Sequence, residues 1–268
     1  MSLPTPAPDR TAIVTGASSG IGTEIARELA RRGHGLVLVA RRADRLEDLA
    51  AELADRGVRI EIAPTDLTDR HARAGLPALV EGLGLEVDLL VNNAGLSTTG
   101  AVHRADPDAE ANMVELDVLA VTDLCTRFLP SMVERGRGAV LNVASTAAFQ
   151  PGPFMAVYFA TKAYVLSFSE ALAEELRHTG VTVTTLCPGP TVTGFQKRAG
   201  MEHAPIGGRM VTGDAAAVAR AGYAGMMKGR RLVIPGLVNR VGTTLPRFLP
   251  RALATRIVAR MTAVRGDA

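Results

Sequence analysis

The sequence predicts an α/β fold: a doubly wound parallel sheet of about seven strands, with helices on both faces, in a single domain. Three observations predict it. Short apolar, β-branched runs alternate with longer segments of helical periodicity. Several of these runs end in glycine, asparagine or serine, as strands do where their carboxyl ends border a crevice. The 268 residues also suffice for one large domain with a substantial core.

Composition excludes several classes of protein. Hydrophobic residues make up 47% and charged residues 21%, which is typical of a soluble globular chain. Aromatic residues are only 4%, with no Trp, which argues against base stacking on aromatic side chains. The net charge of +3 is uneven, because residues 230–268 hold eight Arg and one Asp. Nucleic acid is therefore not an expected partner of the main body.

The cysteines and the apolar runs of the chain further limit the expected redox state, metal content and localisation. Cys125 and Cys187 lie far apart in sequence and form no metal-spaced pair, so we expect reduced core thiols and no metal site. Residues 1–9 predict a flexible tail, and no run approaches 18 apolar residues. We expect a cytoplasmic protein without a transmembrane segment.

The first predicted unit is a strand, a glycine turn and a helix. Residues 11–15 form the apolar strand, and apolar residues then recur at helical spacing until Gly33. Such a turn lets a dinucleotide pyrophosphate approach the backbone and sit on the helix N-terminus. The alternative is a plain turn. The residues expected to bind this group are Gly16, Ser18, Ser19, Gly20, Ile21 and Gly22.

The end of the second strand predicts the type of dinucleotide. Residues 35–40 form this strand, and a charged helix follows over about 44–56. An acidic residue at the strand end would bind the ribose hydroxyls of NAD, whereas Arg suits the 2′-phosphate of NADP. Here Ala40 is followed by Arg41, so NADP(H) is expected in preference to NAD(H). The alternative is that Arg41 and Arg42 only begin a solvated helix.

The next two strands, over 58–63 and 87–91, end in further candidate ligand residues. Asp66, followed by Leu67, is placed to accept a hydrogen bond from the adenine amino group, although a helix cap would look the same. Asn92, Asn93, Ala94 and Gly95 are small enough for backbone to lie against a ligand.

A predicted helix over 108–134, broken near Pro130, precedes the fifth strand, which ends at Ser145. A sixth strand over 181–186 leads into Pro188 and Gly189. Because the carboxyl ends of parallel strands share one edge, a single crevice should collect the strand-end residues. These are Gly16, Arg41, Asp66, Asn93, Ser145 and Gly189.

Tyr158 and Lys162 stand four residues apart on the next predicted helix, which runs to about residue 178. This spacing places a phenol and an ammonium on one face. The ammonium should lower the tyrosine pKa, so that Tyr158 can act as an acid or a base. On its own, the pair is also compatible with an exposed helix surface.

The last part of the chain predicts a polar, glycine-rich substrate lid over 193–213, a helix over 214–227 and a final strand over 231–235. Residues 237–268 form a basic amphipathic extension, with one helix from about 245 to 261. We weigh two roles for it. It packs across the substrate cleft or a subunit contact, which we prefer, or it touches a membrane surface.

These motifs together resemble the short-chain dehydrogenase/reductase family of the classical type, with its Rossmann-type fold, over residues 10–236. The resemblance rests on the glycine turn, Asp66, residues 92–95, Ser145, the Tyr158/Lys162 pair and Pro188-Gly189, in this order. It implies that Tyr158 transfers a proton, Ser145 polarises the substrate oxygen and Lys162 binds the nicotinamide ribose. It also implies that Thr191 and Thr193 contact the cofactor.

Asp117 departs from the family pattern. The register of the helix before Ser145 puts Asp117 where the resemblance implies a catalytic Asn, which acts largely through its backbone carbonyl. A buried carboxylate here is expected to pair with Lys162 or to be protonated. We expect activity with a shifted pH profile.

The expected function is thus NADP(H)-dependent interconversion of a ketone and a secondary alcohol by hydride transfer, without a metal. The alternative is a cofactor-binding scaffold or sensor with little turnover, motivated by Asp117. The resemblance implies a homodimer or homotetramer. Apolar residues near the catalytic positions favour a small hydrophobic substrate over a charged sugar, unless they are plain core: Leu96, Ala147, Phe149, Phe154, Met155 and Phe195.

Overall fold

The computed structural model describes residues 4–194 and 213–263, and a seven-stranded, entirely parallel sheet forms its centre. The strand order is β3-β2-β1-β4-β5-β6-β7. The strands are β1 (Arg10–Thr15), β2 (Gly35–Ala40), β3 (Ile60–Pro64), β4 (Glu86–Asn92), β5 (Gly138–Val143), β6 (Val181–Leu186) and β7 (Leu232–Val233). The predicted Rossmann-type sheet is confirmed.

Helices connect the strands. They are α1 (Gly20–Arg31), α2 (Ala43–Leu53), α3 (Arg70–Gly82), α4 (Pro107–Val114), α5 (Ala120–Glu134), α6 (Ala156–Glu175), α7 (Ala215–Met227), α8 (Leu237–Thr244) and α9 (Arg251–Thr262). Five residues of π-helix, Glu115–Leu119, join α4 to α5. No helix within the described ranges is both long enough and apolar enough to cross a bilayer.

Alternate residues of the central strands bury their side chains on opposite faces of the sheet. Ile13 belongs to one hydrophobic cluster, whereas its neighbours Ala12 and Val14 belong to the other. The first cluster includes residues of α3, α5 and α6, and the second includes residues of α1, α2 and α7. The sheet is therefore covered on both sides, which explains why its strands are almost continuously apolar.

The strand order reverses between β1 and β4. From β1 the chain adds β2 and β3 on one side, and then returns to place β4 on the other side. The connections leaving the carboxyl ends of β1 and β4 therefore diverge, which opens a crevice between them. The candidate site lies at this point.

The segment from α3 to α5 differs from the sequence prediction in two ways. No helix is predicted over 70–82, where Pro77 and two glycines weaken the helical signal, but the structure forms α3 there. A break near Pro130 is wrong, because α5 continues to Glu134 and buries Phe128, Leu129 and Met132. Their burial offsets the cost of about 3 kcal/mol for an interior proline.

The single tail helix is also wrong. Residues 237–262 instead form α8, a 3₁₀ turn over Leu245–Phe248 and α9. Pro250 precedes the first residue of α9, and a residue before proline disfavours the helical conformation. The predicted lid over 193–213 lies almost wholly outside the described residues.

Candidate active site

The glycine turn after β1 is held open by backbone conformations that favour glycine. Gly16 and Gly20 have φ angles of 65° and 61°. A Cβ atom added to Gly20 would lie 3.0 Å from Cγ2 of Thr193, so a side chain here would narrow the crevice. Gly20 and Ile21, the first residues of α1, line the crevice. Unpaired N–H groups of a first helical turn, together with the helix dipole, favour an anion at this point.

Asn93 ties the end of β4 to this turn. Its Nδ2 donates to the carbonyl oxygen of Thr15 at 3.0 Å. The backbone N–H groups of Asn93 and Ala94 donate to Oγ1 of Thr15 at 2.9 and 3.1 Å. Gly22 is buried behind the turn, where an added Cβ would clash with the Gly16 carbonyl and Asn93. Its position indicates a packing role. Gly22 is predicted from the sequence as a cofactor residue, but it does not line the crevice.

Two arginines flank the crevice after β2. Arg41 and Arg42 are both exposed and both line it. Nη2 of Arg42 lies 3.2 Å from Oγ of Ser18 and 3.4 Å from its carbonyl oxygen. The sequence predicts only Arg41 as a cofactor residue at this strand end. The sequence position of Arg42 indicates the same role, because Arg42 follows Arg41 at the same strand end and directly precedes α2.

Asp66 is not a helix cap. Its Oδ1 accepts from the N–H and Oγ1 of Thr68, at 3.0 and 2.8 Å, whereas α3 is capped by Asp69. Although burial opposes ionisation, the bonds from Thr68 and the charge of Arg41 hold the Asp66 pKa below its ordinary value. Asp66 therefore offers an ionised acceptor to the crevice that it lines.

Ser145, Tyr158 and Lys162 come together as the sequence predicts. Ser145 follows β5, and its Oγ accepts from the N–H of Ala147 at 3.1 Å and is hydrogen-bonded to Tyr158. Tyr158 lies in the first turn of α6 and is half-buried. One turn later, Nζ of Lys162 lies 5.6 Å from the centroid of the Tyr158 ring. The phenol and the ammonium therefore share one helix face.

Asp117 forms an ion pair with this lysine. It lies in the π-helical segment with no solvent exposure, and its Oδ2 is 2.9 Å from Nζ of Lys162. Its Oδ1 accepts from the N–H of Leu96 at 2.8 Å, and Oγ1 of Thr161, which donates to the Tyr158 carbonyl oxygen at 2.8 Å, lies 3.5 Å from Oδ2. Gly95 permits this approach, because its added Cβ would lie 3.2 Å from Nζ. The pairing expected from the sequence is present.

The ion pair changes the protonation of the site. Burial alone would lower the Lys162 pKa, but the Asp117 carboxylate, together with Tyr158 and Cys187, outweighs it and raises the pKa above its ordinary value. Burial raises the Tyr158 pKa, and Lys162 and Ser145 offset only part of this rise, while Asp117 adds to it. The expectation of a lowered tyrosine pKa is therefore wrong for this arrangement, because the cost of burying the phenolate exceeds the effect of the lysine charge, and the Asp117 carboxylate adds to that cost.

One crevice of about 420 Å³ brings these groups together. Of the catalytic candidates, Ser145, Tyr158 and Lys162 line it, and Asp117 lies behind it. The crevice is also lined by all the predicted cofactor residues except Gly22: Gly16, Ser18, Ser19, Gly20, Ile21, Arg41, Asp66, Leu67, Asn93, Ala94, Gly95, Tyr158, Lys162, Pro188, Gly189, Thr191 and Thr193.

Apolar side chains near Tyr158 line part of the same crevice. Of the predicted set, Leu96, Ala147 and Met155 do so, and Leu116 and Phe159, which are not predicted, also line it. Phe149 packs against the core and Phe154 does not line the crevice, while Phe195 lies outside the described residues. Within the described ranges, no group of His, Cys, Asp or Glu side chains has the arrangement of a metal site.

This fold and site define the class of protein. The family model for short chain dehydrogenase matches residues 10–203. The chain belongs to the short-chain dehydrogenase family.

Particular members of the family are similar to this chain. The very-long-chain 3-oxoacyl-CoA reductase of Homo sapiens is 36% identical over 187 residues, which are 66% of this chain and 58% of the relative. The chain thus spans little more than half of that relative's length. A short-chain dehydrogenase from Sphingobium yanoikuyae in complex with NADPH is 33% identical, with a TM-score of 0.79 and coverage of 91% and 97% of the two chains. The bulky-bulky ketone specific alcohol dehydrogenase of Comamonas testosteroni is 30% identical, with a TM-score of 0.75 and coverage of 92% and 97%.

Proposed function

We propose that this chain is an NADP(H)-dependent oxidoreductase that interconverts a ketone and a secondary alcohol. One observation carries the proposal: a single crevice holds the glycine turn, two arginines and the Ser145, Tyr158 and Lys162 side chains. The dinucleotide would supply or accept the hydride. The glycine conformations and the small residues that line the crevice fit such a ligand.

The chain's own residues perform the proton transfer. In reduction, the Tyr158 hydroxyl gives its proton to the substrate oxygen, and in oxidation the phenolate takes the proton from the alcohol. The Ser145 hydroxyl, held by the N–H of Ala147, donates to the same oxygen and polarises it. Lys162 stabilises the phenolate and would bind the ribose hydroxyls of the dinucleotide.

The arginines support the choice of NADP(H). Neither the last residue of β2, Ala40, nor the two residues after it carries a carboxylate that would repel a 2′-phosphate. Arg41 and Arg42 instead place two guanidinium groups at this end of the crevice. A hydrogen bond to a charged group contributes about 1.5–3 kcal/mol.

Cofactor preference can be measured directly. We expect Arg41→Ala and Arg42→Ala each to lower kcat/KM for NADPH at least about tenfold, the equivalent of about 1.4 kcal/mol, with little change for NADH. Arg45→Ala is the matched control, since Arg45 is exposed on α2 but does not line the crevice. Equal losses for both cofactors would contradict a 2′-phosphate role.

The substrate we propose is a small, hydrophobic ketone or secondary alcohol. Support comes from the apolar lining by Leu96, Leu116, Met155 and Phe159. The named activities of the reductase and alcohol dehydrogenase relatives also involve carbonyl or alcohol substrates. A panel of aliphatic and aromatic ketones with NADPH, and of the alcohols with NADP⁺, tests this proposal. Turnover of polar sugars alone would contradict it.

The Asp117 ion pair supports one alternative function. A carboxylate 2.9 Å from Nζ of Lys162 competes with the phenolate for the lysine charge. A cofactor-binding scaffold or sensor with little turnover would follow if this competition disabled Tyr158. Tight NADPH binding with no turnover across the panel, unchanged by Tyr158→Phe, would favour the scaffold over the enzyme.

We also propose that residues 10–236 form the catalytic domain, with 193–213 as its lid and 237–268 as an extension.

Assembly into a homodimer or homotetramer through α5 and α6 is supported by apolar side chains exposed near these helices. Leu119 is 47% exposed and Tyr164 is 39% exposed. Light scattering coupled to size exclusion measures the assembly, and a monomer at all concentrations would exclude it.

A further inference from the structure

The segment from α8 into the following turn exposes large apolar side chains along one side. The exposed fractions are 75% for Leu237, 85% for Val238, 56% for Val241, 55% for Leu245 and 80% for Phe248. At about 100° per residue, Leu237, Val238 and Val241 lie on one side of α8, and the other two continue from its end. We name these five residues the apolar tail face.

The opposite side of α8 is fixed to the body of the protein. Thr243 is only 3% exposed, and Nδ2 of Asn239 donates to the carbonyl oxygen of Pro235 at 2.6 Å. Asn239 also packs directly on Gly189, where an added Cβ would clash with it. Arg240 donates from Nε to the carbonyl oxygen of Ile234 at 3.0 Å. The protein therefore presents the apolar tail face outward on an anchored helix.

The surrounding sequence is strongly basic. Residues 237–263 contain five Arg and no Asp or Glu. Arg251, Arg256 and Arg260 are exposed on α9. On that helix, Leu253 and Ile257 are 46% and 42% exposed. The inner side of α9 buries Val258 against the Met155 and Phe159 cluster, so α9 is also held to the body.

We propose that the apolar tail face docks on an anionic lipid surface, without spanning it. Exposed apolar residues within an arginine-rich segment match the interface of such a surface, where apolar side chains enter the boundary region and guanidinium groups meet the headgroups. A second copy of this face is a poorer occupant, because an isologous contact would bring two arginine-rich segments together. The inference does not depend on the proposed oxidoreductase activity.

Vesicle co-sedimentation of the full chain tests the proposal. Vesicles of phosphatidylcholine with a quarter phosphatidylserine are compared with vesicles of phosphatidylcholine alone, at low and high salt. We expect at least about tenfold stronger partitioning onto the anionic vesicles, and its loss at high salt. The double variant Val238→Ser/Phe248→Ser should lower partitioning at least about tenfold, because both side chains are among the most exposed of the face.

Two controls separate this result from a change in folding or a general effect of apolar surface. Val102→Ser removes an apolar side chain that is 57% exposed elsewhere on the protein, and it should bind vesicles like the unmodified chain. Thermal unfolding of all variants should agree within a few degrees. Equal loss by Val102→Ser, or no binding of the unmodified chain to anionic vesicles, overturns the proposal. Loss of a dimer in the double variant without any lipid binding would assign the face to a second copy instead.

Discussion

Replacing Asp117 with Asn tests how the ion pair controls the proton-transferring group. The change keeps the size of the side chain but removes its charge, and Lys162 loses its partner at 2.9 Å. The positive charge of Lys162 then acts on Tyr158 without a neighbouring carboxylate. We expect the pKa of Tyr158 to fall, because both effects of the change favour the phenolate.

The size of the effect follows from the geometry. Nζ of Lys162 lies 2.9 Å from Oδ2 of Asp117 and 5.6 Å from the Tyr158 ring centroid, so the carboxylate is at most 8.5 Å from that centroid. At this separation and an effective dielectric constant of about 20, one unit charge contributes about 2 kcal/mol. The pH profile should therefore move by about one unit or more.

The assay is kcat/KM as a function of pH in both directions. Oxidation requires the phenolate, so the rise of kcat/KM for oxidation with pH should begin at a lower pH in Asp117→Asn. Reduction requires the protonated phenol, so the decline of kcat/KM for reduction with pH should also begin at a lower pH. These two limbs of the pH profiles thus move in the same direction, which separates the effect from a general loss of activity.

Asp88→Asn is the matched control, because Asp88 is a buried carboxylate near the other end of β4, paired with Arg10 and Arg137. It should change stability without moving either limb. Limbs that stay in place in Asp117→Asn would refute the reasoning. Limbs that move to higher pH would also refute it, because they would mean that Lys162 no longer carries its charge.

Three further predictions concern the site and its support. Tyr158→Phe should lower kcat by about 10²-fold or more, while the Kd for NADPH by fluorescence stays within about threefold. Gly22→Ala should lower the free energy of unfolding by about 2–3 kcal/mol in urea, because the methyl group would clash with the glycine turn, whereas Gly75→Ala, which meets open space, should not. Burial raises the pKa of the Cys125 and Cys187 thiols to about 12 each, so Ellman's reagent at pH 8 should react only after unfolding.

Much of the site was predictable because its residues follow strands directly. A parallel sheet brings strand ends to one edge, so Gly16, Asp66, Asn93 and Ser145 converge whatever the exact helix boundaries are. Gly22 shows the limit of the same reasoning. A glycine in the turn motif can serve ligand approach or helix packing, and only the neighbouring atoms distinguish the two.

The helical segments were harder to predict because their irregularities depend on tertiary contacts. The π-helical residues 115–119 interrupt the ordinary helical period, and a hydrophobic pattern does not reveal such an interruption. At Pro130 the local signal for a break was real, but packing of α5 against the sheet outweighed it. Local propensity therefore predicts where these helices lie along the chain, but it does not predict where they are interrupted or continue.

The tyrosine pKa shows why pairwise reasoning from sequence was incomplete. The spacing of Tyr158 and Lys162 predicts their contact, and with only these two groups the pKa of the phenol would fall. The structure adds a third group, Asp117, from a helical segment more than forty residues earlier, and it buries Asp117 and Lys162 fully and Tyr158 partly. The Asp117 carboxylate weakens the effect of the Lys162 charge on the phenol. The direction of the tyrosine pKa shift therefore depends on burial and on Asp117, Tyr158 and Lys162 together. In the sequence, the one indication that the tyrosine pKa differs from the two-group expectation is Asp117, a carboxylate at a position that usually carries an amide.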